Sequence, residues 1–171
     1  MAHKAFTQLL TQTVWGELDY LLVDLPPGTG DVPLSLAQQL PLTGAVVVCT
    51  PQQVAQDDAR RAVRMFQQLQ VHVLGVVENM SWFLADDGKE YDLFGRGGAE
   101  AMAAAMNLPF LGAVPLHVKM RMHADAGTPE ANYEIDDTIT TALMDMCKAT
   151  AQQVSITSMG GDVVQPTISV R

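Results

Sequence analysis

The stretch Asp19-Tyr20-Leu21-Leu22-Val23-Asp24-Leu25-Pro26-Pro27-Gly28-Thr29-Gly30-Asp31 decides the fold. An apolar run, Tyr20 to Val23, enters a single carboxylate, Asp24, and the chain then turns through prolines and glycines. Apolar runs that do not alternate read as strands buried on both faces, as in parallel sheets. Ala45-Val46-Val47-Val48-Cys49 repeats the pattern, Val71 to Val77 repeats it around Gly75, and Pro109 to Val114 is a shorter fourth run. Amphipathic segments fill the gaps. Val54, Ala62, Met65, Phe66 and Leu69 share a face of a helix predicted over 52–70. Ala99, Met102, Ala103 and Met106 do so over 97–107, and Ile135, Ile139, Ala142, Leu143 and Met146 over 134–152. Asp31 is placed to cap a short helix over 32–40, with Pro33 in its first turn. Strand–helix alternation predicts an α/β fold, a mainly parallel sheet with flanking helices.

The 171 residues suffice for one domain, and 48% apolar against 17% charged residues can fill a core. Nineteen acidic residues against ten basic ones give a net charge of -9, which repels phosphate backbones and anionic membranes. Nucleic acid and membrane are therefore not expected as partners. No apolar run approaches the roughly twenty residues needed to span a bilayer, and the N-terminus has no signal-peptide pattern, so the expected location is cytoplasmic. Two separated cysteines, Cys49 and Cys147, suit a reducing compartment. Trp82–Phe94 predicts a β-hairpin turning at Asp86-Asp87-Gly88. Residues 152–171, rich in Ser, Thr, Gln and Gly, read as a flexible tail after a domain over 1–151.

In α/β proteins ligands bind at the carboxyl edge of the sheet, where Asp24 is delivered. Gly28, four residues on, can bring its N–H near a phosphate oxygen. This is the layout of a Walker B and switch II element, in which the Asp holds a Mg²⁺-bound water and the Gly senses the terminal phosphate. A strand-end Asp capping a Pro-Gly turn explains the spacing equally well.

The string DLPPGTGD resembles the switch II of the Mrp/ApbC family of iron–sulfur cluster carrier P-loop ATPases, relatives of MinD and ParA. The resemblance continues over about residues 15–130. It passes through Leu36–Ala45, Thr50-Pro51-Gln52-Gln53-Val54-Ala55, Val77-Glu78-Asn79-Met80-Ser81, Phe94-Gly95-Arg96-Gly97-Gly98-Ala99 and Val114-Pro115-Leu116. It implies a deviant P-loop NTPase fold of the SIMIBI type. It also implies roles. Asp24 holds Mg²⁺ through water, Gly28 donates to the γ-phosphate, and Asn79 pairs with the adenine edge. Residues from Pro115 and Leu116 onward form the loop covering the base. Spacing alone favours Asn79 as a turn residue bonded to its own backbone. His117 stands where many relatives carry Asp and receives no role, and Asp125 reads as a helix cap.

Two family features are missing from this sequence. No GxxxxGK[ST] loop occurs, so nothing here cradles the β- and γ-phosphates. Positioning and charge are nearly all of phosphoryl-transfer catalysis, so ATP hydrolysis by this chain itself is not expected. The resemblance implies a C-terminal portion lacking the first strand and the Walker A loop. The family's CxxC after ENMS is also missing; that place reads Trp82 to Glu90, and no iron–sulfur ligands are assigned. Asp86, Asp87 and Glu90 read as a solvated turn rather than a cation site, and Arg60, Arg61 and Arg64 as a solvated helix face.

The leading expectation is thus an ATP-binding iron–sulfur cluster carrier and assembly protein. It would use ATP and Mg²⁺, form a homodimer and help load clusters onto apo iron–sulfur proteins, with this chain as its C-terminal portion. The alternatives are a non-catalytic remnant or protein-interaction module of the same fold and, third, a MinD/ParA-like positioning ATPase.

Overall fold

The structure, a computed structural model, describes residues 8–9, 12–25, 42–85 and 87–160. The elements run β1 (Ala45–Cys49), α1 (Gln53–Gln68), β2 (Val73–Leu84), β3 (Glu90–Tyr91), α2 (Gly98–Ala105), β4 (Phe110–Leu116), α3 (Val118–Ala126), a 3₁₀ turn (Pro129–Glu134) and α4 (Asp137–Met159). β2 is central. Val76, Val77 and Glu78 pair in parallel with Val47, Val48 and Cys49 of β1 on one side. The same three residues pair with Phe110, Gly112 and Ala113 of β4 on the other. The far end of β2 pairs antiparallel with β3, Phe83 opposite Tyr91. The sheet is therefore mostly parallel with an antiparallel appendage, and the expected α/β class holds.

Both faces of the sheet are covered, as the continuous apolar strands require. α1 and α2 close one face around Val47, Ala59, Val63, Phe66, Val73, Val76, Ala99, Met102 and Ala103. α4 closes the other, with Leu143 and Met146 against Val77, Leu111 and Val114. Val63 and Val76 are wholly buried, each contributing roughly 1.5–3 kcal/mol by burial.

Several sequence expectations change here. The buried stripe of α1 is Gln56, Ala59, Val63 and Phe66. Val54, expected on the core face, is 76% exposed. Helix phase is set by the whole stripe, and Gln56 takes an inward place because its Nε2 donates to the carbonyl of Pro51 at 2.7 Å. α4 runs to Met159, so the boundary placed at 152 falls inside a helix. Polar residues that suggested a tail are absorbed into the helix: Ser155 and Thr157 donate their hydroxyls to carbonyls one turn back. Residues 161–171 lie outside the described residues. The hairpin holds, although Trp82 to Leu84 belong to β2 itself.

Residues 20–23 form no strand. Leu22 is 88% exposed and Tyr20 54%, while Leu25 packs against the α1/α2 core. A parallel strand is held by ladder bonds and by cover on both faces, and among the described residues this segment has neither. The helix expected over 32–40 lies outside the described residues.

Candidate functional site

Asn79 stands midway along β2, just past the last residue paired with β1, and lies opposite Val114 of β4. The next paired residues are Phe83 and Leu116, so β2 spends four steps where β4 spends two. The surplus is a bulge. At its centre Met80 has φ 55°, left-handed for a residue with a side chain. Asn79 is half-buried, and its Oδ1 accepts from the Met80 N–H at 3.0 Å. That is the local bond the spacing favoured, and it leaves the amide Nδ2 as the group Asn79 can present. Pro115 is buried and Leu116 partly exposed, both inside β4. The register thus places Asn79 across from Val114, next to the buried Pro115, and Leu116 across from Phe83. Beyond them the chain forms α3 rather than the expected covering loop. His117, without a role in the sequence reading, starts this helix: its Nδ1 accepts from the Lys119 N–H at 3.2 Å. Gly127, at φ 73°, ends it. Asp125 is no cap; it lies in the last turn of α3, paired with Arg121.

One residue was overlooked in the sequence. Glu78 is 1% exposed in the middle of the sheet. Its carboxylate accepts from the Gly97 N–H at 2.8 Å, from the Ala99 N–H at 2.7 Å and from the Ser81 hydroxyl. A buried carboxylate is tolerated only when its lone pairs are filled, and at the start of α2 it also meets the positive helix end. The signal was legible: a lone Glu closes the apolar run from Val71. Nearby, a Cβ on Gly98 would stand 2.3 Å from both the Pro51 oxygen and the Gln56 Nε2. The start of α2 is thus pressed against the β1–α1 turn, and only glycine fits.

Asp24 is exposed, and among the described residues nothing bonds to it. Gly28 lies outside the described residues. The thiols are separated in the fold. Cys49 is buried in β1, its pKa pushed up to about 11 by burial and then by the charge of Glu78. Cys147 is exposed on α4 beside the Tyr133 hydroxyl at 3.8 Å. No cluster of three metal-ligating side chains occurs among the described residues. In the hairpin Asp87 pairs with Lys89 at 2.9 Å, which lowers its pKa, and Glu90 pairs with Arg96 at 2.7 Å. Arg96 also reaches Asp92 at 3.1 Å and lies over the Trp82 ring, 4.8 Å from its centroid. Asp86 lies outside the described residues. On α1, Arg60 pairs with Asp57 at 2.8 Å and Arg61 with Asp58 at 3.3 Å, a solvated face as expected. No helix among the described residues is long and apolar enough to cross a membrane.

Comparison with known proteins bears on these arrangements. An iron-sulfur cluster carrier protein of Deinococcus radiodurans is 50% identical over 160 residues, covering 93% of this chain and 45% of its own length. One from Escherichia coli is 42% identical over 172 residues, 100% of this chain and 46% of its own. The chain thus spans about half the length of these curated relatives. A nucleotide-binding protein from Archaeoglobus fulgidus, solved with ADP, superposes with TM-score 0.67 at 39% identity, over 75% of this chain and 53% of that one. The cell division ATPase MinD of Pyrococcus furiosus gives TM-score 0.62 at 18% identity, over 88% and 56%, a likeness of fold alone. The family model of the NUBPL iron-transfer P-loop NTPases, within ParA, matches residues 1–151. The chain belongs to this family of iron-transfer P-loop NTPases.

Proposed function

We propose that this chain supplies the base-binding side of an ATP-binding iron–sulfur cluster carrier that helps load clusters onto apoproteins. The observation that carries the reading is Asn79 lying opposite Val114, beside the last residues of β4. There a half-buried amide with a free donor stands beside an apolar strand end, which suits a purine edge and face. Asp24 and Gly28 would serve the phosphate side, Asp24 through a Mg²⁺-bound water and Gly28 through its N–H. The intact carrier would act as a homodimer. Hydrolysis needs a phosphate loop that this sequence does not contain, so the chain by itself would bind the base weakly and turn over no ATP.

The thiols do not fit a cluster: one is buried under α1, the other exposed on α4. This observation favours a second reading, a non-catalytic interaction module of the same fold. Anaerobic reconstitution with iron and sulfide separates the two. A stoichiometric chromophore abolished by Cys49→Ala or Cys147→Ala would establish cluster carriage by this chain, and its absence would favour the module. The base-binding claim is tested by adenosine titration of the wild type and Asn79→Ala. A drop of about tenfold in affinity is expected, as one lost hydrogen-bonded amide implies. Equal affinities would refute it.

A further inference from the structure

The bulge that shows Asn79 is a strained element in an otherwise regular sheet. In a flat strand residues three apart point to opposite faces, so Glu78 and Ser81 should not meet. They do meet, and both are 1% exposed. The left-handed residue Met80 breaks the side-chain alternation of β2, so that the Ser81 hydroxyl reaches the Glu78 carboxylate. A non-glycine residue in that region persists only where its surroundings over-determine it. Here the surroundings can be named. Glu78 is fixed from outside the strand by the Gly97 and Ala99 N–H groups of the loop and first turn of α2. Ser81 is fixed to Glu78. Asn79 and Met80 lie between these two anchors, and the Asn79 side chain bonds across the turn to the Met80 N–H.

We propose that Glu78 and Ser81 form a buried staple that positions Asn79, with Glu78 linking the Gly95–Gly98 loop to the base-binding edge. The pair touches no ligand; it acts through the turn at Met80. Its effect on recognition rests on the base-binding reading above, but its effect on the turn does not. Without the Ser81 hydroxyl, Met80 relaxes toward an ordinary strand conformation, the Asn79–Met80 bond opens, and the amide loses its fixed direction.

The test is amide hydrogen exchange by NMR on the full chain as wild type, Ser81→Ala, Ser81→Thr and Glu78→Gln, with adenosine and guanosine titrations of each. In Ser81→Ala, protection of the Met80 amide should fall about tenfold while amides of α1 and α4 keep theirs. The preference for adenosine over guanosine should fall toward one, and Ser81→Thr should restore both. Glu78→Gln should also expose the Gly97 and Ala99 amides; if it does not fold, Ser81→Ala carries the test. Unchanged Met80 protection in Ser81→Ala overturns the staple. Lost Met80 protection in a protein whose wild type shows no adenosine preference supports the staple and refutes the base-binding reading instead.

Discussion

The middle of β2 and the segment around Asp24 handle their polar and apolar groups in opposite ways. At β2 a buried carboxylate has three donors, an amide has its local partner, and a glycine makes room for the next helix. Around Asp24 the carboxylate has no bonded partner among the described residues, and Leu22 stands 88% exposed. A polar group that is buried and fully bonded reports a geometry fixed by the fold. One that is exposed and unbonded reports a geometry still to be supplied by what it binds. The geometry around Asn79 is thus fixed by bonds within the fold, whereas Asp24 has no such bonds among the described residues.

That contrast can be broken by substitution. The largest effect should come from Glu78→Ala, which strips the partner from two backbone donors and a buried hydroxyl. A loss of about 4 kcal/mol in urea unfolding is expected, and a loss under about 1 kcal/mol would show the carboxylate to be incidental. Gly98→Ala should follow at about 2–3 kcal/mol, since its Cβ would meet the Pro51 backbone carbonyl, which cannot swing away, as well as the Gln56 amide. Next come the thiols. Cys147 should react with an alkylating probe at pH 8 at least about tenfold faster than Cys49. The raised pKa of Cys49 also sets a sign. The folded thiol keeps its proton to about 11 while the unfolded one loses it near 9.0, so stability should fall as pH rises through that window. Flat stability between pH 9 and 11 would contradict it. Arg96→Ala should remove about 1 kcal/mol, because its pairs with Glu90 and Asp92 are solvent-exposed and only the Trp82 stacking adds to them. Smallest of all, Asp24→Asn should leave stability within about 0.5 kcal/mol, as befits an exposed group with no bonded partner among the described residues.

The sequence made the middle of the molecule legible because its signals are local. The runs at Ala45, Val71 and Pro109 became β1, β2 and β4, and the hairpin turned where Asp87-Gly88 said it should. The site was half legible. Asn79, Pro115 and Leu116 were singled out through motif resemblance, and the β2–β4 register sets Asn79 opposite Val114 and Leu116 opposite Phe83. Glu78 escaped because its meaning is not local: its partners at Gly97 and Ala99 lie about twenty residues on. Val54 was misplaced because periodicity weighs hydrophobicity, whereas the inward place went to Gln56 through a bond to Pro51. The run at Tyr20 has the composition of a buried strand, yet burial needs neighbours on both faces, and none stands there among the described residues.

In the proposed function the edge at Asn79 takes the base, while no Gly-rich lysine loop in this sequence cradles the phosphates. Titrating the 171-residue chain with adenosine and with ATP, each with and without Mg²⁺, tests it most directly. Weak binding is expected, equal for the two ligands within about threefold, unaffected by Mg²⁺ and about tenfold weaker in Asn79→Ala. Binding of ATP more than about tenfold tighter than adenosine, strengthened by Mg²⁺ and weakened by Asp24→Asn, would contradict it.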